Sequence, residues 1–388
     1  MHGEQSGPSE SPAVPSGLPP GGAPRPSGEF HIPSLDGLRA ISFLVVFAAH
    51  AGANQFGIPG GFGVTVFFFL SGYLITTLLR LEFTNSGAVS LRDFYVRRLL
   101  RIFPPFYAIL SLALLLTAAG VLPGRLEPLP VLAQIGHVTN YWAIAKGFDG
   151  QPLGTGVYWS LAVEEHFYLV FPLLFLLLQR ALPGRFRRQA QVLLLLCAAV
   201  LAWRLYLVLG LGVPENRTYL ASDTRVDSIL FGCALALGAN PMLDRPRLPA
   251  PWFRWLVLPA GAALLIFCFV YRAPWFRETL RYSLQGIGLT PIFIGAMREP
   301  GFLPFRLLNL RPVRRMGVLS YTLYLVHQVV LYSVERWQGR APALLLAALA
   351  LLVSFLAAEL VHRAIERPCA RLRRRLAHAD WLTVPVQH

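Results

Sequence analysis

The chain has 388 residues, of which 55% are hydrophobic and only 14% are charged, and its mean hydropathy is +0.51. Soluble domains contain about 45–50% apolar and about 25% charged residues, so this composition excludes a soluble enzyme. The net charge of +15 comes mainly from arginine, with Lys146 as the only lysine. Because these arginines stand in short clusters between apolar runs, they indicate membrane topology rather than a nucleic-acid partner.

Ten apolar segments approach the ~20 residues that a helix needs to cross a bilayer. They are residues 35–55, 60–81, 103–122, 157–180, 189–210, 225–239, 252–271, 283–297, 317–335 and 341–363. The sixth and eighth segments are short, and a re-entrant path is the alternative for each. Together the segments predict an all-α polytopic membrane protein, in which about ten transmembrane helices form a single bundle.

Arginines cluster in every second loop between these segments. The clusters are Arg92, Arg97, Arg98 and Arg101; Arg180, Arg185, Arg187 and Arg188; Arg245, Arg247 and Arg254; Arg306, Arg311, Arg314 and Arg315; and Arg371, Arg373, Arg374 and Arg375. Positive residues accumulate on the cytoplasmic side of a membrane. The alternation therefore predicts that both termini are cytoplasmic.

The two ends of the chain differ from this apolar core. Residues 1–29 are rich in proline, glycine and serine, which predicts a disordered cytoplasmic tail. Residues 30–370 form the predicted transmembrane domain, and residues 371–388 form a basic cytoplasmic tail. No metal-binding motif such as HExxH is visible, so we expect no metal.

Ionisable side chains inside apolar segments commonly cost ~2.5–3.5 kcal/mol each on insertion scales, so each one needs a reason. A rise of ~1.5 Å per residue from the segment ends places His50, Glu164 and His327 at similar depth. A carboxylate can orient an imidazole, and imidazole suits proton transfer near neutral pH. We therefore expect His50 to deprotonate a hydroxyl acceptor with Glu164 behind it.

The fourth segment adds further polar groups around that carboxylate. Ser160, Glu164 and Tyr168 recur every four residues and share a helix face. Glu165 and His166 are expected to point elsewhere. Ser160 or Tyr168 would then be positioned to stabilise the oxyanion of an acyl-transfer reaction.

Each of these groups also has a structural interpretation. His50 and His327 can be neutral histidines that hydrogen-bond to a neighbouring helix. His166 can serve only in packing at an interface. The arginine clusters 92–101 and 371–375 can act only as topology determinants, or they can bind the phosphates of an anionic donor. The residues alone leave these alternatives open.

Seven motifs in this chain occur in the order of a known family. They are SLDGLRAISFLVVFAAH, GVTVFFFLSGYLI, FYVRRLLRIFPPFY, YWSLAVEEHFYLVFP, RVDSILFG, SYTLYLVHQ and IERP. The sequence resembles the membrane-bound acyltransferase-3 family over residues 34–370. Members of that family are bacterial enzymes that O-acylate surface sugars, and some acylate antibiotics.

The resemblance implies an acyl-CoA donor, usually acetyl-CoA, as a co-substrate and a ten-helix core. The family pattern of an arginine and a histidine eleven residues later falls on Arg39 and His50, with His50 as the essential base. Its paired-arginine motif falls on Arg98 and Arg101, expected near the CoA phosphates on the cytoplasmic side. Arg39 is assigned to the same donor site.

Further motifs of the family carry over to the second half of the chain. The glutamate and tyrosine motif falls on Glu164 and Tyr168 as catalytic residues. Polar positions assigned to substrate binding fall on Arg225, Asp227 and His327, and Ser160 joins them. Glu366 matches another polar position of the family pattern.

Two departures from the family pattern matter. Many members carry aspartate where this chain has Thr65. Any role of that carboxylate therefore has no equivalent side chain at this position. Some members also carry a C-terminal esterase-like domain. This chain is therefore expected to act alone or with a separate periplasmic esterase-like partner.

The leading hypothesis is transfer of an acyl group, most simply acetyl, from acyl-CoA to a hydroxyl of a carbohydrate or glycolipid in the bacterial cytoplasmic membrane. Direct transfer and a short-lived acyl-histidine on His50 both fit. One alternative is acylation of a cytoplasmic small molecule such as a macrolide. Another class is a proton-coupled transporter, which predicts inverted repeats that the sequence does not display.

Overall fold

A computed structural model describes residues 32–57, 59–335, 339 and 341–376. The predicted disordered tail, residues 1–29, lies outside the described residues, as does most of the basic C-terminal tail. Within the described ranges the longer regular elements are all helical, as the apolar segments predict.

The described residues form ten long α-helices, with short helices in several of the connections between them. The first half contains α1 Pro33–His50, α2 Gly60–Ser86, α3 Leu91–Ala118, α4 Pro128–Ile135, α5 Thr139–Lys146, α6 Trp159–Ala181, α7 Phe186–Leu205 and α8 Glu215–Leu220. The second half contains α9 Ser222–Gly238, α10 Ala250–Trp252, α11 Leu258–Val270, α12 Pro274–Glu278, α13 Leu280–Arg298, α14 Phe305–Leu308, α15 Arg311–Glu335, α16 Ala343–Val361 and α17 Arg367–Leu376. One π-helical turn extends α7 to Gly210, a second joins α10 to α11, and a third joins α16 to α17.

Local chemistry sets several helix ends. α1 begins at Pro33, whose missing N–H is not needed in a first turn. α2 ends at Ser86 and is followed by Gly87, which has a φ of +73° and adopts the left-handed conformation that glycine tolerates. The hydroxyl of Ser90 accepts a hydrogen bond from the Asp93 N–H and caps α3.

Each of the ten predicted segments coincides with one long helix. In the described part of the chain, seven helical stretches are long and apolar enough to span a membrane by length and composition. The other three long helices are α1, α9 and α13, with 18, 17 and 19 residues. The chain is a multi-pass membrane protein, and the number ten for its crossings stays a prediction.

Large apolar side chains on the outside of the bundle fit a lipid environment. Leu195, Val270, Leu344 and Leu360 are 69%, 74%, 83% and 68% exposed. On a water-soluble protein, contiguous apolar patches of this kind would promote aggregation. In a bilayer they suit the hydrocarbon interior. By contrast, α9 is buried from Ile229 to Leu237. Because protein surrounds this helix, it needs no lipid-facing surface, which explains its weak hydropathy signal.

The central helix α9 lies against α2 through two glycines. A Cβ added to Gly72 would stand 2.0 Å from the Ile229 carbonyl oxygen, and one added to Gly232 would stand 1.9 Å from the Phe69 carbonyl oxygen. Small residues permit this backbone approach in membrane bundles. Gly72 and Gly232 therefore serve the close packing of α2 and α9.

Replacement of Gly72 with alanine is expected to destabilise the bundle by about 1–3 kcal/mol, the range for overpacking a tight contact. Gly301→Ala is the matched control, since nothing lies within 4 Å of its added Cβ. Unfolding of the purified proteins in mixed micelles measures both changes. Equal unfolding midpoints for the two variants would show that α2 and α9 separate at little cost.

The start of the first helix and the end of the last lie at the same end of the bundle. Asp36 and Arg39 of α1 line one cavity with Arg371 and Arg374 of α17. We call this the arginine-rich end. The opposite end, where α1 finishes at His50, is called the His50 end.

Candidate active site

A cavity of about 170 Å³ lies inside the bundle among α1, α2, α3, α6 and α15. We call it the central cavity. Its polar lining includes residues from all five helices, namely Arg39, Ser71, Arg98, Arg101, Ser160, Glu164, Glu165, Tyr168 and Tyr324. Seven of these were singled out from the sequence, whereas Ser71 and Tyr324 were not. Both stand in motifs where a hydroxyl interrupts an apolar run.

The carboxylate of Glu164 is tied to α2. The hydroxyl of Ser71 donates a hydrogen bond to Glu164 Oε1 at 2.6 Å. Tyr168 lies one turn further along α6, and the guanidinium of Arg98 stands 5.3 Å from the centre of its ring. This wall of the central cavity therefore combines an acceptor, a hydroxyl and a cation.

The prediction for the face of α6 is correct for three residues and wrong for a fourth. Ser160, Glu164 and Tyr168 all line the central cavity. Glu165 was expected to point elsewhere but lines the same cavity, because the cavity extends around α6 toward α3 and α15. His166 does lie apart, with its Nδ1 2.7 Å from the hydroxyl of Ser222.

A second cavity, of about 750 Å³, opens at the arginine-rich end. We call it the vestibule. Its lining combines seven arginines with two carboxylates: Arg39, Arg101, Arg363, Arg367, Arg371, Arg373 and Arg374 with Asp36 and Glu366. Asp36, Arg39, Arg101 and Val318 line the vestibule and the central cavity alike. The two cavities therefore meet at the start of α1.

His50 pairs with the other histidine of the predicted set. Its Nδ1 lies 3.0 Å from Nε2 of His327, and the two rings are stacked with their planes 22° apart. On the other side, Nδ1 of His327 lies 2.8 Å from the backbone carbonyl oxygen of Tyr324. Because a carbonyl only accepts, that nitrogen carries the proton, and Nε2 of His327 accepts from His50. Nε2 of His50 is then left unprotonated and is the nitrogen able to act as a base.

The pair of imidazoles connects the central cavity with the His50 end. The hydroxyl of Tyr324 lines the central cavity and lies 2.7 Å from the hydroxyl of Ser160. Past His327, the exposed His50 borders a further cavity with Leu331 and Leu346. His327 is fully buried between the two.

The expected pairing of His50 with Glu164 is replaced by other partners. Glu164 bonds to Ser71, and His50 bonds to His327. Counting residues along a helix gives depth but not the direction in which a side chain points. α1 packs against α15 and α2, and this brings His327 rather than Glu164 beside His50.

Arg225 and Asp227 do not pair with each other. Asp227 accepts two hydrogen bonds from Arg204, at 2.8 and 2.7 Å, and both side chains are fully buried. Arg225 lies 4.1 Å from the ring centre of Tyr282 and donates to the hydroxyl of Thr65 at 3.2 Å. An aspartate in place of Thr65, as in many family members, would stand beside this guanidinium.

Among the described residues, no group of three or more His, Cys, Asp or Glu side chains is arranged to hold a metal ion.

Glu366 accepts a hydrogen bond from the Thr322 hydroxyl and lies 2.7 Å from Nδ1 of His362. It therefore joins α15 to the turn before α17 at the wall of the vestibule.

Comparison with known proteins covers most of the chain. Residues 32–362 match the acyltransferase domain of the Acyl_transf_3 family. The chain is 33% identical over 359 residues to YrhL of Bacillus subtilis. It is 30% identical over 358 residues to the peptidoglycan O-acetyltransferase OatA of Listeria monocytogenes, and 30% identical over 355 residues to the O-acetyltransferase OatA of Staphylococcus aureus.

Each of these alignments covers 87% of this chain but only 55–57% of the relative, so the chain spans about half the length of the relatives it matches. No solved structure matches it.

Proposed function

The chain belongs to the acyltransferase-3 family, and from that premise we propose that it moves an acetyl group from acetyl-CoA to a hydroxyl of a cell-surface sugar. Its relatives are an O-acetyltransferase and a peptidoglycan O-acetyltransferase, which supports acetyl as the group and peptidoglycan as the class of acceptor. The arginine-rich end is proposed to face the cytoplasm of a bacterial cell. The His50 end then faces outward, where the acceptor is.

The observation that carries this proposal is the union of the vestibule with the central cavity through Asp36, Arg39 and Arg101. CoA has phosphates at one end and the thioester at the other. Guanidinium groups bind phosphate oxygens in pairs, so the vestibule suits the nucleotide end. The smaller central cavity suits the pantetheine arm, with the thioester directed toward Ser160 and Tyr324.

The proposed chemistry takes place where Tyr324, His327 and His50 follow one another. The acceptor oxygen forms a bond to the acetyl carbon while Nε2 of His50 takes its proton. The carbon–sulfur bond then breaks, and the CoA thiolate receives that proton. Of the hydroxyls on the central cavity, that of Ser160 lies beside Tyr324 and is the donor suited to the carbonyl oxygen as it becomes negative, whereas Tyr168 lies about two turns further along α6, beside Arg98.

A two-step route uses the same residues. In it, His50 first accepts the acetyl group and then transfers it to the sugar hydroxyl. Acetyl-CoA labelled in the acetyl group, supplied without acceptor and quenched by rapid denaturation at neutral pH, separates the two routes, because an acyl-imidazole hydrolyses in acid. Label retained on the protein indicates the acyl-histidine, and label that stays on CoA indicates direct transfer.

The function itself is tested in inverted membrane vesicles that contain the full chain. Labelled acetyl-CoA is supplied outside, at the arginine-rich end, and the label is followed into carbohydrate together with release of CoA. We expect both to depend on the chain. Label appearing only in a small cytoplasmic alcohol would overturn the sugar acceptor, and the absence of CoA release with every acceptor would overturn the acyltransferase.

Replacement of Arg101 with glutamine is expected to raise the KM for acetyl-CoA by about tenfold to a hundredfold. A hydrogen bond to a charged group is worth about 1.5–3 kcal/mol, and 1.4 kcal/mol is a factor of ten. Arg188→Gln, at the same end but outside the vestibule, is the control and should leave the KM unchanged. An equal KM for acetyl-CoA in the two variants would show that the vestibule does not bind the CoA phosphates.

A further inference from the structure

A separate cavity of about 400 Å³ lies at the His50 end, away from the central cavity. We call it the loop cavity. It is bounded by the turn that follows α1, by α8, by the end of α11 and by the start of α13. None of the residues assigned above to transfer or to the donor lines it.

The loop cavity contains polar groups that the protein leaves without partners. Gln285 is 3% exposed and lines the cavity, and its side chain makes no hydrogen bond within the part of the chain that the structure describes. The Nε of Arg281, on the same wall, is buried and likewise lacks a partner there. Buried amides and guanidinium groups are nearly always hydrogen-bonded in native proteins. The Gln285 amide, which lines the cavity, therefore indicates a ligand that can hydrogen-bond to it.

The charge of the lining favours an anion. Arg272, Arg277 and Arg281 line the loop cavity, and Glu215 is the only carboxylate among its described lining residues. Glu215 lies 3.6 Å from Arg277. Arg281 lies 4.0 Å from Glu278 and donates to the Tyr282 hydroxyl, and Arg272 donates to the Gly57 carbonyl oxygen. The three arginines exceed these two carboxylates by one positive charge, and arginine pairs well with carboxylate or phosphate.

Aromatic rings supply the remaining surface. Tyr219, Tyr271 and Tyr282 line the cavity, together with Phe62 and Phe269, whose rings meet edge to face at 4.8 Å. Such rings offer flat apolar surface for the C–H face of a sugar, while phenolic hydroxyls pair with its polar edge. The combination of rings, an amide and arginines suits a sugar that carries an acidic group.

We propose that the loop cavity binds an acidic sugar unit of the acceptor, one that bears a carboxylate or a phosphate. This inference rests on the proposed function and adds to it the class of the acceptor. The loop that begins just after His50 contributes Asn54 and Gly57 to the cavity. A glycan held there by its acidic unit presents the hydroxyls of a neighbouring unit to the His50 end.

The test measures sugar binding directly, by saturation-transfer NMR on the purified full chain in nanodiscs. The probes are glucuronic acid, glucose 1-phosphate and glucose. We expect signals for both acidic sugars and little for glucose, and the ratio of the two acidic signals distinguishes carboxylate from phosphate. Gln285→Met keeps the side-chain length but removes the amide, and should reduce the acidic-sugar signal at least about fivefold. Arg281→Gln tests the charge independently if the first variant does not fold.

Matched controls are Gln191→Met and Arg245→Gln, which make the same changes on exposed residues away from the cavity. Equal signals for glucose and the acidic sugars would overturn the choice of an acidic unit. An equal loss of the acidic-sugar signal in the test and control variants would show that the sugar does not bind in the loop cavity. Acetyl transfer without acidic-sugar binding would refute this inference alone, whereas binding without any acetyl transfer would refute the proposed function.

Discussion

Replacement of His50 with alanine is expected to reduce acetyl transfer by about 10²–10⁴-fold, the usual contribution of a positioned general base. The hydrogen bond at 3.0 Å from His50 to His327 fixes the orientation of its ring, and the Tyr324 carbonyl fixes which nitrogen is free. Alanine removes that nitrogen without adding bulk. The measurement is the rate at which label from acetyl-CoA enters carbohydrate in vesicles with matched amounts of protein.

His166→Ala is the control for this substitution. His166 lies on α6 but faces Ser222 and Tyr141 instead of a cavity assigned to the donor. We expect it to retain transfer. The transfer rate of His327→Gln should fall between those of the other two variants. Glutamine can still accept a hydrogen bond from His50, but it has no ring nitrogen to donate to the Tyr324 carbonyl. Transfer by His50→Ala at the wild-type rate would exclude His50 as the base.

The fold could be predicted from the sequence because apolar runs determine where helices lie in a bilayer. All ten segments, including the short ones at 225–239 and 283–297, coincide with helices of the structure. Hydropathy identified α9 and α13 weakly, since both are largely enclosed by protein. The number of crossings depends on whether α9 and α13 span the bilayer. The position of a helix in the sequence does not determine this.

The site could be predicted only in part. Helical spacing placed Ser160, Glu164 and Tyr168 on one face, and the central cavity confirms that grouping. It could not show that His50 would turn toward α15 and Glu164 toward Ser71, because those directions come from packing between distant helices. The grouping is local to one helix, whereas the pairings depend on the whole bundle.

The largest omission was Arg204. It is the single charge inside the apolar run of α7, and the cost of such a charge should have prompted a search for its partner. That partner is Asp227, which the family resemblance had assigned to substrate binding. In the structure neither Arg204 nor Asp227 is exposed. Ser283 of α13 donates to Asp227 at 2.9 Å and accepts from Arg204 at 2.6 Å, so the pair joins three helices.

Breaking the pair is expected to cost about 3–5 kcal/mol, because removing one partner leaves an uncompensated buried charge. Asp227→Leu and Arg204→Met should each show this loss when unfolding is followed in mixed micelles. The double variant should recover much of it, since two apolar side chains of similar volume often replace a buried ion pair at little cost. Arg92→Met is the control, because the side chain of Arg92 is 73% exposed beside Asp93 and such pairs contribute little.

The double variant also decides what Asp227 does. Recovery of both stability and acetyl transfer would show that the carboxylate acts only by joining α7, α9 and α13. Recovery of stability with transfer still lost would place Asp227 in contact with a substrate, as the family resemblance implies. Additive losses, with no recovery of stability, would contradict the pairing itself, because residues that interact directly do not contribute independently.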